Sequence, residues 1–64
     1  MRKEFVILRE LAKQYAIQTE AGNAARLESV TRHLQGRLTS LPDEGRNEEE
    51  RTILHQARQA ASSP

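Results

Sequence analysis

Two apolar seams run along this chain, and they are out of phase with each other. Leu8, Leu11 and Tyr15 set the first, at alternating steps of three and four. Continued without interruption, it would pass through Gly22, Ala25, Ser29 and Arg32. The second seam runs instead through Ala24, Leu27, Thr31, Leu34, Leu38 and Leu41, two residues later. At about 100° per residue, one straight helix would turn the two seams to different sides. A break at Gly22-Asn23 removes the conflict. Glycine is favoured just past a helix end, and asparagine is favoured as an N-cap. The pattern therefore predicts an antiparallel hairpin of helices over 2–21 and 24–41. The alternative is one continuous helix with a tolerated glycine, at a cost of about 1 kcal/mol.

The first helix has a wide apolar face of Phe5, Leu8, Leu11, Ala12 and Tyr15, edged by Ile7 and Ala16. "FVIL" alone could be a strand, but the helical spacing of the following residues favours helix. The second seam covers too few heptads for a free-standing coiled coil and suits a bundle. Pro42 ends the helix before it, and Pro42-Asp43-Glu44-Gly45 is turn chemistry. Asn47 with Glu50 three residues on forms a capping box, and Glu48, Glu49 and Glu50 place negative charge at a helix N-terminus. A third helix over 48–61 follows. Its apolar face is thin (Ile53, Leu54, Ala57, Ala60, Ala61), so it is expected to be the weakest element. Residues 1–61 read as one helical domain, and 62–64 as a disordered tail.

Size sharpens the picture. A chain of 64 residues buries only about 60% of its unfolded surface, which makes a lone fold marginal. There is no cysteine, so disulfides and thiolate metal sites are excluded. Very close helix packing or a partner chain must compensate. The expected fold class is all-α: a helical hairpin plus a short third helix, assembled into a homodimeric bundle.

The net charge of +1 gives no overall pull toward nucleic acid or membrane. It is uneven. Residues 1–41 carry seven basic and four acidic groups, and residues 42–64 carry three basic and five acidic ones. No apolar run is long enough to span a membrane, and the four-residue run after the charged start is too short for a signal peptide. A cytoplasmic protein is expected, without membrane association.

Val6, Glu10, Lys13 and Ile17 lie on the side of helix 1 opposite its main apolar face. Val6 and Ile17 are either scattered surface residues or a second contact face. Taken with the main face, they nominate Phe5, Val6, Leu8, Tyr15 and Ile17 as the partner or oligomer interface. Arg26, His33 and Arg37 line up along helix 2 as a possible basic ridge, or as solvated edge residues. Gly36 lies mid-helix, away from the leucine seam. His33 and His55 are not spaced as a metal-binding pair. The serines have no histidine in a nucleophile motif, and no glycine-rich loop follows a strand. No catalytic, metal or cofactor-binding residue is expected.

These features point to a small non-enzymatic regulator that binds another protein through an apolar helix face, as an inhibitor, antagonist or chaperone-like adaptor. Two alternatives stand beside it. Ser29 to Leu38, "SVTRHLQGRL", resembles the recognition helix of helix-turn-helix repressors over ten residues, which implies a small DNA-binding regulator using helix 24–41. The long first helix and the use of Thr31 and Leu34 in the seam argue against that context. The other alternative is a purely structural oligomerisation module.

Overall fold

A computed structural model describes residues 1–62. Among them are three helices and no strand: α1 (Lys3–Ala21), α2 (Ala24–Leu38) and α3 (Glu48–Ala61). Helix takes up 77% of the described chain. Each helix packs against the other two. The molecule measures 36 × 18 × 18 Å.

The break between the seams lies at Gly22-Asn23. Gly22 adopts the left-handed conformation at φ +68°. Its N–H donates to the Thr19 carbonyl, and the Asn23 N–H donates to the Gln18 carbonyl. This is a Schellman closure, which satisfies two of the carbonyls left open at the end of α1. Asn23 then caps α2, its Oδ1 accepting from the Arg26 N–H at 3.2 Å. Two residues thus end one helix and begin the next, and α2 turns back so that Leu34 meets Leu8.

The second helix stops at Leu38, three residues short of the expected Leu41. The hydroxyls of Thr39 and Ser40 both turn back to the Gly36 carbonyl, at 2.8 and 3.4 Å. Such local bonds compete with the helix, and Pro42 disfavours helical angles at Leu41. Leu41 still packs on the core, from the loop. The capping box of α3 forms as the spacing predicts. Asn47 Oδ1 accepts from the Glu50 N–H at 2.8 Å, and Glu50 Oε1 accepts from the Asn47 N–H at 3.0 Å. Ser62 closes α3 and is exposed. The remainder of the expected tail, residues 63 and 64, lies outside the described residues.

The buried apolar residues are Phe5 and Leu8 from α1, Leu34 from α2, and Ile53, Leu54, Ala57 and Ala60 from α3. α3 supplies four of these seven, two of them alanines. Its alanines are small enough for α3 to enter the cleft of the hairpin closely. Ala57 is fully buried there, beside Leu8, Leu34 and Ile53.

Two glycines give opposite expectations. Gly22 has open space around a would-be Cβ, so only its positive φ excludes other residues. Gly22→Ala is expected to destabilise by about 1–2 kcal/mol. Gly36 is helical with equally open surroundings, and Gly36→Ala should stabilise by about 0.5–1 kcal/mol. Urea unfolding of both variants checks the opposite signs. Ala57→Leu should overpack the α3 contact by about 1–3 kcal/mol in the same assay.

Candidate functional site

Three regions carry polar or exposed apolar groups that the helix pattern alone does not require. The first is a polar knot between the chain start and α3. Arg2 is extended at φ −68° and ψ 150° and precedes the first turn of α1. Its backbone N–H and its Nε donate to Glu50 Oε2 at 3.3 and 3.1 Å. Its Nη2 donates to Glu50 Oε1 at 3.1 Å, and its Nη1 donates to the Glu44 carbonyl at 2.7 Å. The guanidinium carbon lies 5.2 Å from the centre of the Phe5 ring, within cation–π range. Glu50 is only 2% exposed. With the capping bond from Asn47, each of its oxygens accepts two hydrogen bonds.

That environment lowers the Glu50 pKa from 4.5 to about 2, first through the hydrogen bonds from the Arg2 side chain and then through the Asn47 N–H. The same pairing raises the Arg2 pKa further. Every bond here is spent within the chain, so the knot is structural. The sequence shows Glu50 as the end of a capping box. Its second partner, 48 residues away, leaves no local signal.

The second region is an open groove of about 630 Å³ between α1 and α3. Ala12, Ala16 and Ala60 give it a low floor, with Tyr15 beside them. Arg9 and Lys13 rise on the α1 side, Gln56 and Gln59 on the α3 side. Arg9 Nη1 is 3.8 Å from Glu49 Oε1, while its buried Nε has no hydrogen-bond partner among the described residues. The small-residue spacing at 12 and 16 is visible in the sequence. That α3 would form the opposite wall is not.

The third region is the outer face of α1. Ile17 is 54% exposed, Val6 is half-buried, and Glu10 and Lys13 form an exposed ion pair at 3.7 Å.

The five residues nominated as an interface do not form one surface. Phe5 and Leu8 are fully buried within this chain and cannot touch a partner while it stays folded. An apolar face says that something covers it, and here α2 and α3 do. Tyr15 is half-buried at the groove, and Val6 and Ile17 stand on the outer face. Arg26, His33 and Arg37 are all exposed along α2. Among the described residues no three His, Asp or Glu side chains cluster as metal ligands would, and no helix is long and apolar enough to cross a membrane.

Lowering the pH tests the knot. The native state keeps Glu50 charged down to about 2, while an unfolded chain protonates it near 4.5. The stability it contributes is therefore complete above pH 4.5 and is lost as pH falls toward 2. Glu50→Gln keeps a capping side chain but removes the charge. Urea midpoints across this window should fall less steeply for the variant, which should also be less stable than wild type at neutral pH.

No family model matches the chain, and no curated protein or solved structure matches it.

Proposed function

We propose that the chain is a non-enzymatic, homodimeric protein-binding regulator that receives a helix of another protein in its α1–α3 groove. The observation that carries this reading is the groove's construction. A floor of Ala12, Ala16 and Ala60 lets a partner helix approach closely, without large side chains to displace. Tyr15 offers an aromatic surface at the floor, of the kind that anchors interfaces. Arg9, Lys13, Gln56 and Gln59 give the polar rim that surrounds such apolar contacts. The groove is open to solvent along its length, which suits a helix better than a small molecule that must be enclosed. An inhibitor or chaperone-like adaptor would act by occupying a partner's amphipathic helix in this way.

The test uses an arginine placed on the groove floor. Ala16 is exposed on a helix, and arginine is a good helix former, so Ala16→Arg should change stability by less than about 0.5 kcal/mol. It should weaken capture of a copurifying protein by at least about tenfold, while Arg37→Glu on α2 leaves capture unchanged. If Arg37→Glu abolishes capture and Ala16→Arg does not, the partner sits on α2 and the groove reading fails.

A further inference from the structure

The outer face of α1 reads the same from either end. Its exposed and half-buried residues are Lys3, Val6, Glu10, Lys13, Ile17 and Glu20, at steps of three, four, three, four and three. This is the three-four spacing of a coiled-coil seam, here with four charged and two apolar positions, and it lies opposite the side of α1 that packs on α2 and α3. Two such helices can be laid antiparallel about a two-fold axis between Leu11 and Ala12. Each residue then meets its mirror position in the list. Lys3 faces Glu20 of the second copy, Val6 faces Ile17, and Glu10 faces Lys13. The axis repeats every pairing, so all six residues of each copy find a complement: two opposite-charge pairings and one apolar pairing, each made twice.

From this complementarity we infer that the outer face of α1 is a self-recognition surface, occupied by a second copy of the chain in antiparallel two-fold pairing. It deepens the proposal that the chain is a homodimer by naming the face and the register. A parallel arrangement would set Glu10 against Glu10 and Lys13 against Lys13, which opposes like charges at the centre of the seam. A two-fold contact uses the same patch on both copies, so self-complementarity is what such an interface requires. The Glu10–Lys13 bond within one chain does not compete strongly. It spans 3.7 Å between side chains that are 56% and 64% exposed, and both ends can turn to the facing helix. The pairing also covers Ile17, the most exposed large apolar residue described. Tyr15 and the alanine floor of the groove stay clear of the seam, and Lys13 of the groove's rim is the residue the two surfaces share.

The interface is small. α1 has 19 residues and a length of about 28 Å, and only Val6 and Ile17 contribute apolar layers. Such an area belongs with weak, concentration-dependent association. Its specificity lies in the charges, and the charges make it testable. Lys13→Glu places two glutamates opposite each other, at both symmetric positions. Glu10→Lys does the same with lysines. The double variant restores opposite charges everywhere.

The experiment is sedimentation equilibrium of the wild type, both single reversals and the double reversal, from about 10 µM to about 1 mM, the range a small interface requires. Circular dichroism establishes that each variant keeps its helices. The expected result is a dimerising wild type, single reversals weakened at least about tenfold, and a double reversal within about threefold of wild type. A wild type that stays monomeric to the top of the range overturns dimerisation itself. A wild type that dimerises, with a double reversal no better than the singles, overturns this pairing and leaves dimerisation to another face. Cysteine variants give an independent readout, since the chain has none of its own. Val6→Cys mixed with Ile17→Cys should oxidise to a crosslinked pair faster than either variant alone. Equal rates in all three samples also overturn the register.

Discussion

The Arg2–Glu50 pair joins the two ends of the fold, and the position of α3 depends on it. Glu50 is a carboxylate with almost no access to water in a protein with little apolar core to spare. Burial of a charge is costly unless it is paired and its lone pairs are used. Here all are used: two by Arg2 on one oxygen, one by Arg2 and one by Asn47 on the other. The same guanidinium reaches the Glu44 carbonyl in the connecting loop and stacks over Phe5. One side chain therefore ties the entry to α1, the loop and the first turn of α3 together. The geometry is demanding, because sliding α3 by one residue would break the whole set. An apolar contact of the same area would tolerate that slide. The pair supplies register, and the alanines supply closeness.

The two contributions are complementary. Ala57 and Ala60 bury little area each, but they bring α3 deep enough to cover Leu8 and Leu34. The chain thus gains burial from the larger residues of α1 and α2 by using the smallest residues of α3. The cost appears at the edge of the same face of α1. Where α3 faces Ala12 and Ala16, small residues on both helices leave a groove rather than a filled contact. The accessible surface of 4516 Å² is somewhat above the roughly 4,200 Å² typical of a compact chain of this mass.

What the sequence made legible was local. The hairpin break, the capping box and the start of α3 each depend on residues within a few positions, and the seam phase gave the first of them. The stop of α2 at Leu38 is not legible, because Pro42 is the visible breaker and the hydroxyls of Thr39 and Ser40 act before it. How deeply α3 packs is not visible for another reason: counting large apolar residues undervalues alanines that fit. Phe5 and Leu8 show a third limit: periodicity identified a face that must be covered, and only the packing shows that the cover is the chain's own. Of the candidate site, Val6 and Ile17 could be read from spacing. The groove could not, because its far wall comes from residues more than forty positions along.

α1 is the one element used on every side: α2 and α3 hold its apolar face, the groove runs along one flank, and the charged seam lies opposite the apolar face. This makes folding and association hard to separate. A partner that binds only the folded chain stabilises it in proportion to the logarithm of its concentration over its dissociation constant. For a fold with so small a core, even a weak two-fold contact along α1 would matter at high local concentration. The benefit would extend to α3, because α3 is docked on that same helix. A partner helix in the groove would act on the same balance, since it would bridge α1 and α3 directly. The two surfaces lie on neighbouring flanks of one helix and share Lys13 at their border. Their coupling would run through the stability of the α1–α3 contact, with Arg2 and Glu50 at its end.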